Sequence, residues 1–224
     1  MDAADSQADG AFVALEELCS TYWYPIYAFV RQRGNDAPTA SDITQGFFEF
    51  VLEKKIIRVA DRERGKFRSF LLTALKNYMS KQYRKDQQQK RGGGATHYSL
   101  QLEDADGRYV HEPSHDVTPE HLFDRAWGLT LLEQVLKQLQ REYEAKKQGD
   151  RFSVLSGFLV APDDAGSLSE AAEILKLSTN SVTVAMHRLR KRFKELYRLE
   201  VKRLMGPDDD VEEEIASLMS AAGS

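Results

Sequence analysis

The chain has 224 residues, 42% hydrophobic and 29% charged, with a formal net charge of −4. That length allows one or two bodies, each with its own core, and no stretch approaches the roughly 20 apolar residues that a membrane span needs. The lone Cys19 excludes an internal disulfide, and the acidic start MDAADSQADG lacks the basic region of a signal peptide, so the expected location is the cytoplasm, with no membrane partner.

The negative sum conceals a segregation. Cations gather at Lys81, Arg84, Lys85, Lys90 and Arg91 and again over 187–203, whereas acids dominate 1–17, 103–124 and 208–214. Counterion release depends on the face that meets phosphate and not on the overall charge, so this pattern is compatible with nucleic acid.

From Ala11 to Arg33, Phe12, Leu15, Leu18, Cys19, Tyr22, Ile26 and Phe29 recur at helical spacing, with Pro25 a point of kinking and Gly34-Asn35 a stop. A second helix is predicted from about Thr39 to Lys54, with Ile43, Phe47, Phe48, Val51 and Leu52 inward. After the polar stretch DRERGK comes a third, Phe67 to Lys85, whose apolar face is Phe70, Leu71, Ala74, Leu75 and Tyr78. Residues 86–117, with QQQKRGGG and no helical period, read as a linker, and Asp106-Gly107 suits the turn of a small hairpin between Tyr98 and Tyr109. Helical pattern resumes at Pro119, capped by Thr118, and carries Leu122, Phe123, Trp127, Leu131, Leu132, Val135, Leu136 and Leu139 inward. A short apolar helix follows at 152–160.

Residues 167–193 read as a helix-turn-helix. Leu168, Ala171, Ala172 and Leu175 form one apolar face, Ser178 caps a new helix, and Val182, Met186, Leu189 and Phe193 continue the buried stripe along it. Opposite that stripe stand Asn180, Val184, His187, Arg188 and Lys191, flanked by Thr183 and Lys194. A groove-reading helix needs such a face, with short polar groups near its N-terminus for base edges and cations for phosphates. Beyond Gly206-Pro207 a short acidic helix is predicted at 208–220, with Val211, Ile215, Leu218 and Met219 on one side, folding back on the chain or engaging a partner.

A helical domain, a linker and a helical unit ending in a helix-turn-helix resemble an RNA polymerase sigma factor of the extracytoplasmic-function (ECF) group, over almost all of residues 11–200. SDITQGFFEFVLEK at 41–54 is similar to that family's polymerase-binding helix, and ERGKFRSFLLTALKN at 63–77 to its G-x-F-R-x-W-L segment. The resemblance implies an all-α protein in which 1–10 is a disordered terminus, 11–86 sigma domain two, 87–117 a linker, 118–205 sigma domain four and 206–224 an acidic extension. It implies promoter-specific transcription initiation without enzymatic activity or a cofactor. Asp42, Ile43, Gln45 and Phe48 fall to the polymerase clamp, and Phe67, Arg68, Phe70, Lys76, Asn77, Arg84 and Lys85 to the melted proximal promoter element. Asn180, Ser181, Thr183, Val184, His187, Arg188 and Lys191 fall to the upstream element in duplex DNA. For Phe67 and Phe70, core packing is the stronger expectation, since large aromatic side chains are usually interior.

Two departures from the family pattern stand out. Thr39, Ser41 and Gly46 occupy positions where acids are expected, leaving Asp42 to meet a basic clamp. Phosphorylation of Thr39, Ser41 or Thr44 by a serine/threonine kinase restores negative charge there, whereas helix capping is the plain role of such hydroxyls. At the turn, Lys176 stands where glycine is common, which predicts a different backbone path. Besides core RNA polymerase and promoter DNA, an anti-sigma protein is a further partner of this class. The alternatives are a polymerase-independent helix-turn-helix regulator and a degenerate sigma-like module that titrates a regulator. GGG at 92–94 lacks the flanking strand and helix of a nucleotide site, and His97, His111, His115 and His121 lack metal-ligand spacing.

Overall fold

The structure is a computed structural model that describes residues 19–53, 67–89, 118–160, 167–205 and 209–222. These residues form eight α-helices and no strand, so the protein is all-α. No described helix is long and apolar enough to cross a membrane. The chain divides into two compact units, Met1–Thr130 with Leu204–Ser224, and Leu131–Arg203. The hairpin proposed around Asp106-Gly107 and nearly all of the linker lie outside the described residues.

The first unit begins with α1, residues 19–32, which runs through Pro25 without interruption and ends where Gly34 adopts a positive φ of 88°. Its Tyr22, Ile26, Tyr27, Phe29 and Val30 are fully buried. Helix α2 (Ala37–Glu53) buries Phe47, Phe48 and Val51, and α3 (Phe67–Gln89) buries Leu71, Leu75 and Met79 against this core. The Tyr83 hydroxyl of α3 donates to Asn35 Oδ1 (2.9 Å), and the Asn35 amide donates to Val30 O (2.8 Å), tying α3 to the end of α1.

Helix α4 (Pro119–Ala145) begins as its sequence predicts, with the His121 amide donating to Thr118 Oγ1 at 3.2 Å. Its residues to Thr130 belong to the first unit, where Trp127 stacks on Tyr22 with ring centroids 5.8 Å apart. Phe67 sits edge-on to Tyr22 at 5.8 Å and packs on Phe70 at 6.2 Å, and both phenylalanines are half-buried. The C-terminal acidic helix, α8 (Val211–Ala222), completes this unit, with Asp210 Oδ1 accepting from the Glu212 and Glu213 amides. Its buried residues are Glu214, Leu218 and Ala221, whereas Met219, expected inward, is 42% exposed.

In the second unit, α5 (Gly149–Val160), α6 (Leu168–Leu175) and α7 (Thr179–Arg203) pack on one another and share the unit with α4 residues from Leu131 onward. Val135, Leu139, Leu155, Val182, Leu189 and Val201 are essentially inaccessible there. Burying one such aliphatic side chain stabilises by about 2 kcal/mol. Phe193 is only half-buried and stacks on Tyr197 at 6.3 Å, while Leu168, read as inward, is 39% exposed.

Candidate nucleic-acid interface

The helix-turn-helix is built by three local devices. Ser167 opens α6 with a capping box, its Oγ accepting from the Glu170 amide (3.2 Å) while the Glu170 carboxylate accepts from the Ser167 amide (2.7 Å). Ser178 opens α7, its Oγ accepting from the Ser181 amide at 3.2 Å and sharing a 2.8 Å hydrogen bond with the Ser181 hydroxyl. Between them Lys176 adopts φ 53°, ψ 45°, and the Leu177 amide closes back on Ala172 O at 2.9 Å. The sequence predicted an altered path at Lys176, but the backbone takes the left-handed turn glycine would take. That conformation costs a lysine about 1 kcal/mol.

With Val182, Ala185, Met186 and Leu189 turned inward, the opposite face of α7 is open. Asn180, Thr183, His187, Arg188 and Lys191 are exposed and Val184 is 44% exposed. Ser181 is half-buried and its hydroxyl is engaged by the cap, so it serves the turn more than a base edge. Thr183 Oγ1 donates to Thr179 O at 3.0 Å and keeps an acceptor lone pair outward. Part of this face borders a cleft of about 610 Å³ lined also by Lys146 and Arg151.

A brace holds α7 in place. Arg192 donates from Nε to Glu142 Oε2 (2.9 Å) and from Nη2 to Oε1 (2.6 Å), a two-pronged pair linking α7 to the end of α4. The hydrogen bond to Arg192 holds the Glu142 carboxyl below the usual carboxylate range and raises the guanidinium above its own. Fifty residues separate the two partners, and no local pattern announces them.

On α3 the predicted DNA residues separate. Asn77 and Arg84 are exposed, and the Lys85 side chain lies outside the description. Lys76 pairs with Glu120 of α4 at 2.8 Å, both partners about 40% exposed. Arg68 is only 8% exposed. Its guanidinium pairs with Asp124 (2.9 Å) and with Glu214 of α8 (3.1 Å), and lies 5.2 Å from the Trp127 ring centre. Burial pushes the Asp124 carboxyl upward against the lowering effect of Arg68. In this state Arg68 is a core ion-pair residue and presents no charge to solvent. Sequence reading missed the carboxylate, although the clue was present: Glu214 falls between Val211 and Leu218 on the phase of the helix's apolar stripe.

On α2, Asp42 is exposed and Ile43 and Gln45 are half-exposed, the Gln45 amide donating to Glu49 Oε1 at 3.1 Å. Phe48, assigned to the clamp by the resemblance, is 4% exposed and stacks on Trp23 at 5.8 Å, so in this state its ring lies in the core. The helix cap is neither Thr39 nor Ser41: Asp36 Oδ1 accepts from the Thr39 amide at 2.9 Å, and hydrogen bonds from the Thr39 side chain and amide hold the Asp36 carboxyl below its usual value. Thr39 is exposed, whereas Ser41 and Thr44 are 2% and 0% exposed and Thr44 Oγ1 donates to Ala40 O. Gly46 has its own reason to lack an acid, because a Cβ there would lie 2.5 Å from the Tyr78 hydroxyl.

A capped turn between α6 and α7 with an open cationic face on α7 is the arrangement that a groove-reading helix-turn-helix requires. A family model described as ECF sigma factor matches residues 9–198. No curated protein and no solved structure matches the chain. The family match spans most of the sequence, so the chain belongs to the ECF sigma factor family, and its role is a sigma factor's regulatory role in transcription initiation, with RNA polymerase and DNA as partners.

Proposed function

We propose that this sigma factor docks on core RNA polymerase through the outer edge of α2, with Asp42, Ile43 and Gln45 as contacts, and reads the upstream promoter element with α7. Asn180, Thr183, Val184 and His187 face base edges, and Arg188 and Lys191 face phosphates. In this reading 11–86 acts as sigma domain two and 118–205 as sigma domain four, with Asn77, Arg84 and Lys85 near the melted element. The carrying observation is the α7 face, exposed from Asn180 to Lys191 and opposite a continuous buried stripe.

Thr39 is the phosphorylation site in this reading. It is the exposed hydroxyl of the three, in the first turn of α2, where the helix amides favour an anion. A phosphate there adds about −2 charge beside Asp42, on the surface that meets a basic clamp. Affinity of the full chain for core RNA polymerase tests this. Thr39→Glu should bind about tenfold more tightly than wild type and Thr39→Ala no better, as gain of a close interfacial charge pair predicts. Equal affinity of all three removes the switch, and failure of all three to bind removes the polymerase reading.

A further inference from the structure

The C-terminal helix α8 lies beyond the family match, which ends at residue 198, yet supplies a buried group to the first unit. That group is a carboxylate. Glu214 is 1% exposed on a helix whose neighbouring Glu212 and Glu213 are exposed, and its partner is Arg68 of α3. The start of α4 acts alike, Asp124 reaching Arg68 and Glu120 reaching Lys76. Two cations of α3 are therefore neutralised by three carboxylates from two other helices.

A buried ion pair is weak evidence for stability, because desolvation offsets much of its attraction, and registry or switching is its best-attested use. Among the described residues, Leu218 and Ala221 are the buried apolar side chains of α8. Carboxylate and phosphate offer a guanidinium the same paired acceptor oxygens, so a polynucleotide strand can take the place of Glu214 without new chemistry. The Nε of Arg68 is also buried without a hydrogen-bond partner, a donor that a further phosphate oxygen would satisfy.

We infer that the α3 face carrying Arg68 is a phosphate-binding surface for single-stranded DNA, and that its resident occupant in the free protein is the chain's own acidic helix α8. Opening α8 removes one of the two carboxylates that hold Arg68 and leaves Asp124, and promoter strand and α8 compete for the vacated side of the guanidinium. The idea rests on the sigma-factor reading of α3 and adds a regulation to it.

Gly128 of α4 and Leu218 allow α8 to be locked, since a Cβ built at Gly128 lies 3.8 Å from Leu218 Cβ, the usual separation across a disulfide. In a Cys19→Ser background, Gly128→Cys/Leu218→Cys is compared oxidised and reduced for binding of a short fluorescein-labelled single-stranded deoxyoligonucleotide and for core polymerase binding. The reduced form should bind the oligonucleotide about tenfold more tightly than the oxidised form, the effect of regaining a charge-assisted contact. Adding Arg68→Ala should erase the difference. Equal binding by the two redox forms overturns the inference, while loss of core polymerase binding in both forms, with wild type equally inactive, counts against the sigma reading instead. Glu214→Gln in the otherwise native chain, with its helical content checked by circular dichroism, provides the same comparison without a cross-link. It should also raise oligonucleotide affinity, and an unchanged affinity in a folded variant contradicts the proposal.

Discussion

Helices α3 and α7 both carry cations expected to meet DNA, and they hold them in opposite states. On α7, Arg188 and Lys191 stand on the exposed face while Val182, Met186 and Leu189 secure the helix from behind. On α3, Arg68 turns into the packing and meets two carboxylates and an indole. A cation's availability to phosphate is thus set by what the neighbouring helix presents. The second unit meets α7 with aliphatic side chains and binds Arg192 away from the reading face, whereas the first unit meets α3 with acids.

The sharpest way to break this contrast is to remove one arginine from each helix. Arg68→Ala leaves Glu214 buried without its cation and should cost about 3 kcal/mol in urea denaturation, the usual penalty for breaking one side of a buried pair. Arg188→Ala should leave the denaturation midpoint unchanged and weaken duplex promoter binding by about 1–2 kcal/mol, with a shallower salt dependence. Equal stability losses in the two variants would erase the distinction.

Smaller effects sharpen the same picture. Gly46→Ala places a methyl group against the Tyr78 hydroxyl, whose ring is held by Phe47 at 5.7 Å and Phe50 at 5.3 Å. A loss of about 1–2 kcal/mol is expected, mostly recovered in Gly46→Ala/Tyr78→Phe, where the nearest remaining atom is the ring carbon at 3.7 Å. An additive double variant would show that the hydroxyl is not the obstacle.

In the second unit, Glu142→Gln removes the brace on α7. The folded-state pKa of Glu142 is lowered by Arg192, so its stabilisation is fully present above the unfolded value of 4.5 and disappears as pH falls through the folded value. The variant should lose about 0.5–1 kcal/mol at neutral pH, a figure reduced by the pair's partial exposure, and should show a flatter melting temperature below pH 4.5 than wild type. Parallel acid profiles would assign the acid sensitivity elsewhere. The smallest effect belongs to the turn: Lys176→Gly relieves the left-handed backbone and should raise stability by about 0.5 kcal/mol, the relief being partly offset by unfolded-state entropy.

The sequence disclosed what local chemistry determines. Ser178 and Thr118 act as caps where the pattern placed them, and the stripe Val182, Met186, Leu189 is buried as its spacing requires. What it concealed depends on partners distant in the chain. Phe48 looks equally apolar whether it faces a clamp or Trp23, and a hydroxyl at Ser41 carries no mark of its burial. Arg68 matches a family motif, but its surroundings come from α4 and from a helix outside that family's span. Glu214 was the one clue within reach, an acid on the phase of an apolar stripe.

Start-site selection by core RNA polymerase from the same cell, supplied with the full chain and duplex promoter fragments, tests the central claim most directly. The account predicts initiation that depends on the chain, from fragments sharing an upstream element, and lost when Arg188 and Lys191 are both replaced by alanine. Tight, specific binding of the chain alone to such fragments, with no change in where polymerase starts, would contradict it.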